Sequence, residues 1–314
     1  MVYGVGIALA VLTGLLWGGI GVIVGTIRRH EVNVSHFFTL SSCISAAGSW
    51  LVLSTSPASA PPAGRMVELV IICVISGCAG ILGMLSMEKA MQAGAVAWAI
   101  GQSAMVIPFI AGIFLWQAPF TLPALIILVV MTAGTVLLAR GQHLCSSRTL
   151  QAGASLHNGP GGSSWLIFAL GSFVLFGVQQ TVSSLPSAWP DWTDRSGWRS
   201  AFTLTASGVF MLILCWRQWL RLGPARILAA KWRWLVGLSV IYACFVVSSQ
   251  SLLFQAMDRL YDCGLLQMTY PLAISVCMLS VALWDVIVWR RSRPPCYWLG
   301  MFLLVSGVFL CASV

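Results

Sequence analysis

The chain has eight acidic residues and four histidines, and their spacing does not assemble a catalytic centre. Glu31, Glu68, Glu88, Asp191, Asp194, Asp258, Asp262 and Asp285 all fall at the ends of apolar segments or between them, as do His30, His36, His143 and His157. No nucleophile is set beside a base, and no carboxylates repeat at metal-ligand spacing. Most of the ten cysteines lie inside apolar runs, as small core residues do. The chain is therefore expected to be no enzyme and to hold no metal and no cofactor. What lies at depth is neutral and polar. Gln102, Gln179, Gln180 and Gln250 fall within apolar segments, where an unpartnered amide is costly, and Gln267 opens another. Each amide offers two donors and an acceptor, a match for a hydroxyl-rich ligand. Trp17, Trp98 and Tyr270 add flat apolar faces with polar edges, suited to the C–H groups of a sugar ring. An interhelical hydrogen bond would satisfy any single Gln, and packing any single Trp; their recurrence in corresponding segments is what points to a substrate site. Carboxylates that could couple a proton are Glu88, Asp262 and Asp285, the last with Arg290 and Arg291 close enough for a solvated ion pair.

The segments that position these residues are membrane spans by composition. Hydrophobic residues make up 59% of the 314 and charged residues 8%, where a soluble domain has about 25% charged. The net charge of +9 lies between apolar runs and not along one polar face, so it reads as orientation signal and surface contact with lipid, and nucleic acid is not an expected partner. A hydrocarbon core of about 30 Å needs about 20 apolar residues per helix. Ten segments meet that length, near 3–27, 35–54, 67–87, 95–116, 121–139, 165–185, 198–216, 234–257, 265–288 and 296–314. The first has no basic region ahead of it and no cleavage site, so it reads as a retained span.

The chain also echoes itself. Met84–Pro108 and Gln250–Pro271 each run from an apolar stretch into an Ala-Met pair, a short polar break with a glycine, a Gln and then a proline. Trp17-Gly18 is echoed by Phe176-Gly177, and Leu115-Trp116-Gln117 by Leu283-Trp284-Asp285. The expected fold is all-α and membrane-integral, with ten transmembrane helices as two inverted five-helix repeats. The repeats would occupy 1–140 and 165–314, joined by a Gly/Ser-rich linker at 141–164. A repeat with an odd number of spans must enter the membrane upside down the second time, which puts a shared site near mid-membrane between the halves. Gly14, Gly18, Gly21 and Gly25, with Gly77, Gly80 and Gly83, carry spacings that allow helices to approach closely.

Of the 17 Lys and Arg, 13 fall in the odd-numbered connections, and the other side holds only Arg65, Arg195, Arg199 and Arg259. The positive-inside rule then puts both termini on the outer, periplasmic side of a bacterial inner membrane. Arg217–Arg233, with Trp216, Trp219, Trp232 and Trp234 about it, is expected along the inner lipid surface.

The motifs LLWGGIGVIVG in the first span, MEKAMQAGA with FQAMDRL, and AMVIP with MTYP resemble those of the drug/metabolite transporter superfamily. TIRRHEV after the first span, Arg140-Gly141-Gln142 and WDVIVWRRSRPP are similar to its bacterial L-rhamnose–proton symporter branch. Where many exporters of the superfamily close the fourth span on Glu, this chain has Gln117. The resemblance implies alternating-access uptake of a small neutral polar metabolite such as the monosaccharide rhamnose, with a proton as partner, by a monomer or homodimer. An exporter of amino acids or related metabolites is the alternative on the same scaffold. A membrane interaction protein that transports nothing is the alternative of another class.

Overall fold

The computed structural model describes residues 2–30, 32–55, 64–91, 95–117, 121–151, 164–192, 195–222, 232–288, 290 and 293–313. Among them every regular element is helical: α1 (Val2–Arg29), α2 (Val34–Ser54), α3 (Met66–Ala90), α4 (Ala95–Gln102), α5 (Val106–Leu115), α6 (Leu122–Gln151), α7 (Ser164–Ser184), α8 (Ser196–Leu222), α9 (Trp232–Tyr261), α10 (Thr269–Ile287) and α11 (Pro295–Ser313). Ten stretches are long and apolar enough to cross a membrane, from Tyr3–Ile27 to Pro295–Ser313, and they fall on the ten segments expected from the sequence. Large apolar side chains point outward along them, Phe114, Val67, Phe309 and Ile167 each at least 70% exposed. A belt of that kind is what a lipid-facing surface presents and water-facing surfaces avoid.

Local chemistry sets the ends and breaks. Asn33 caps α2, its side-chain oxygen accepting from the His36 amide at 3.1 Å. Proline lacks the N–H that would bond one turn back. Accordingly 3-10 turns stand at Ser103–Met105 and Leu266–Met268, each ending three residues before Pro108 or Pro271. The first turn joins α4 and α5 into one span. α6 runs on to Gln151, so the linker expected at 141–164 starts as helix; Arg140–Gln151 holds one glycine, Gly141, and the glycine-rich part, 152–163, lies outside the described residues. Of the expected interfacial segment, α8 reaches Leu222 and 223–231 lies outside them too.

Packing is dense where glycines face backbone. A Cβ at Gly14 would stand 2.4 Å from the Ala273 carbonyl oxygen, and one at Gly300 would stand 2.6 Å from the Leu138 amide nitrogen. These positions bring α1 against α10 and α11 against α6. Gly77 does the same for α3 and α8, its Cβ position 2.7 Å from the Thr203 carbonyl oxygen, whereas Gly25 has no neighbour within 4 Å. α1 packs on α9 and α10, α2 on α8 and α9, and α3 on α7 and α8. The α4–α5 span packs on α7 and α6, and α11 on α6 and α10. Counting each span five onward turns these pairs into one another, α1 with α9 becoming α7 with α3 and α2 with α9 becoming α8 with α3, whereas α8 also packs on α9 without an α2–α3 counterpart of that extent.

Neighbour pairs also define two ends. His30 stacks on Trp234, Lys89 lies over Phe168, and Asp285 pairs with Arg293 at one end. Because the odd-numbered connections are here, this is the basic end. At the opposite end the Tyr3 hydroxyl donates to the Cys311 carbonyl and Arg65 lies over Trp189.

Candidate functional site

A cavity of about 550 Å³ lies between the two sets of five spans, with walls from α1, α2, α3, the α4–α5 span, α7, α8, α9 and α10 and with Gln142 of α6 at its edge. It gathers Trp17, Trp98, Gln102, Gln179, Gln180, Gln250 and Tyr270, seven of the eight residues expected to bind substrate. Helical spacing explains the grouping: Gln179 and Gln180 share a turn with Phe176 on α7, and Gln250 lies one and two turns beyond Val246 and Tyr242 on α9, all of them lining residues. Gln267 is the exception. It is buried in the turn before Pro271, its Cβ 2.8 Å from where a Cβ on Gly112 would stand, and is not part of the wall. The 3-10 turn forced by the proline directs it toward α5 instead.

The wall is mostly apolar, and apart from Glu88 its polar side chains are neutral amides and hydroxyls. On the lining residues Gln180, Gln250 and Ser45, the buried atoms Oε1, Nε2 and Oγ have no hydrogen-bond partner among the described residues. Leaving such groups unpaired costs about 1–3 kcal/mol each, which a ligand bearing both donors and acceptors recovers. One free acceptor and one free donor on facing helices suit a hydroxyl or a neutral amide. Trp17 and Tyr270 stack, centroids 6.3 Å apart and planes 22° apart, so they form one aromatic wall and not two separate platforms. Tyr242 adds an edge, held by Phe37 and Phe38.

The three expected coupling carboxylates separate. Glu88 lines the cavity near its basic end, with Met87 and Met91. Asp262 is exposed on the turn after α9, at the opposite end and away from the cavity. Asp285 is buried, pairs with Arg293 and accepts from the Tyr297 hydroxyl at 3.4 Å. That replaces the expected solvated pair: Arg290 is exposed at a left-handed backbone position (φ 46°), and Arg291 lies outside the described residues. Asp285 thus fastens α10 to the start of α11, because Pro294 and Pro295 bring the chain straight back over its end.

Two buried polar contacts next to the cavity were not legible in the sequence. Tyr270 Oη and Ser183 Oγ are 2.6 Å apart, both buried. Arg199 donates from Nη1 to Asp258 Oδ1 at 2.6 Å, also buried. Each charge taken alone looks like a segment-end residue; the missed signal is that Arg199 and Asp258 sit inside apolar context, in WRSAF and QAMDRL, on spans that end on the same side. Among the described residues no group of His, Cys, Asp and Glu is placed to hold a metal.

No family model matches the chain, and no curated protein matches it. A solved structure described only as the crystal structure of a protein superposes with a TM-score of 0.66 at 14% identity, covering 98% of each chain. At that identity the likeness concerns the fold alone: a bundle of this architecture spans the full length of another protein.

Proposed function

We propose that this chain is a secondary transporter of a small neutral polar solute, a monosaccharide such as rhamnose, working by alternating access in a bacterial inner membrane. The observation that carries the reading is the cavity between the two sets of five spans, where buried amides of α7 and α9 leave an acceptor and a donor unpartnered. The self-matching set of helix pairs supports two inverted repeats, with the site at their junction. Positive-inside orientation turns the basic end toward the cytoplasm and both termini toward the periplasm. Glu88, the carboxylate in the wall, is the residue proposed to couple a proton. Reconstituted protein should show L-rhamnose counterflow, saturable and lost in Gln180→Leu; counterflow by no neutral sugar in a sealed, oriented preparation would reject the sugar reading.

One observation favours a second reading, export of amine-bearing metabolites. Glu88 is the charged residue among the described lining residues and would pair with an ammonium. The described wall has no cation for the carboxylate of an amino acid, which ranks this reading below the first. Counterflow of an amino acid in place of any sugar would reverse that order.

A further inference from the structure

Among the described residues, the cavity lining extends toward the basic end of the bundle and not toward the opposite end. Its described lining starts at Trp17 on α1 and stops at Gln250 on α9, and it extends to Glu88, Met91 and Gln142 at the basic end. Beyond its blind end lies the network that the proposed substrate site does not use. Arg199, about one turn into α8, pairs with Asp258 at 2.6 Å, the two side chains 1% and 2% exposed. Its Nη2 donates to the Ser183 carbonyl at 3.0 Å and to Ser187 Oγ at 2.9 Å, and its guanidinium lies 4.3 Å from the Phe254 ring centroid. Ser183 in turn meets the Tyr270 hydroxyl. Four spans, α7, α8, α9 and α10, are thereby tied at one level, and Tyr270 belongs both to the tie and to the cavity wall.

The pair suits a contact that is made and broken. Arg199 Nε and Asp258 Oδ2 have no hydrogen-bond partner among the described residues, so the burial is incompletely compensated. Buried ion pairs of that kind gain little over their hydrated, separated state while being specific in geometry. The echo of the two halves sharpens this. After the Ala-Met pair the second half has Asp258, and the first half has Gln92, which cannot form an ion pair. A charged residue after the Ala-Met pair is thus encoded in the second half only.

We propose that Arg199–Asp258, with Ser183–Tyr270, is the gate that shuts the cavity at the end opposite the basic connections and parts when the cavity opens there. The proposal rests on the alternating-access reading. A ligand seated against Tyr270 bears directly on this gate through Ser183.

The test uses a cysteine already present. Cys277 lines the cavity about two turns into α10, on the basic side of Tyr270. A membrane-impermeant maleimide is applied to sealed vesicles of each orientation, and labelling is read by peptide mass. The gate predicts labelling of Cys277 from the basic face in the wild type. It predicts that Asp258→Asn and Tyr270→Phe raise the rate from the opposite face about tenfold, equivalent to about 1.4 kcal/mol, and lower it from the basic face. If Asp258→Asn does not fold, Tyr270→Phe and Ser187→Ala, which keep the ion pair, report the same change. No rise from the opposite face, or equal rises from both faces, would mean a static clamp and overturn the gate. Solute does not enter this readout. Failure of every uptake assay with face-selective labelling intact would count against the substrate reading alone.

Discussion

Gln180 and Gln250 are each buried with an unpartnered amide atom, and on the proposed reading a bound solute supplies the missing partner. Gln180→Leu and Gln250→Leu should therefore leave ligand-free thermal stability within about 1 kcal/mol of wild type, or above it, while removing stabilisation by ligand. A large drop without ligand would instead assign these amides to the framework. Arg199→Ala should behave oppositely, destabilising by about 3–5 kcal/mol in denaturant titrations in detergent, because it strands the buried Asp258 carboxylate. The difference in legibility has the same origin. A Gln inside an apolar run is conspicuous in a sequence whatever its neighbours are. Arg199 and Asp258 stand near segment ends, where charge is ordinary, and only their mutual approach across 59 residues reveals the pair. Gln267 shows the converse: its type and position suggested the site, and a proline four residues on turned it away.

At the level of helices, contact distance separates glycines that spacing alone treats alike. Gly14→Ala would force a methyl to 2.4 Å from a backbone oxygen of α10, and Gly300→Ala to 2.6 Å from a backbone nitrogen of α6. Backbone cannot swing aside as a side chain does, so each should lose about 1–3 kcal/mol. Gly171→Ala, with no neighbour within 4 Å, should gain about 0.5–1 kcal/mol from helix propensity. Thermal unfolding in detergent checks all three. Element positions were readable because apolar length is a strong signal, and the matched proline turns because their prolines echo. Where a helix stops was not: α6 continues past Arg140 to Gln151, because apolar content marks where a span could end and not where the helix does.

For the whole molecule, ten apolar stretches form a bundle in which most helix pairs, though not α8 with α9, recur when spans are counted five onward. The cavity between them could not be read from sequence, since it depends on which face of each helix turns inward. Orientation is open to direct measurement through native thiols at opposite ends: exposed Cys263 follows α9, and half-buried Cys296 starts α11. Impermeant maleimide on spheroplasts should label Cys263 and spare Cys296; the reverse pattern would invert the proposed orientation. On the proposed reading the cavity holds a neutral polar solute. This reading is tested most directly by thermal-shift titration of purified protein with neutral sugars, amino acids and organic cations, with Gln180→Leu and Gln250→Leu alongside. A sugar at 100 times its dissociation constant should stabilise the wild type by about 2.7 kcal/mol and neither variant. Stabilisation by cations alone, or by a sugar equally in all three proteins, would contradict the account.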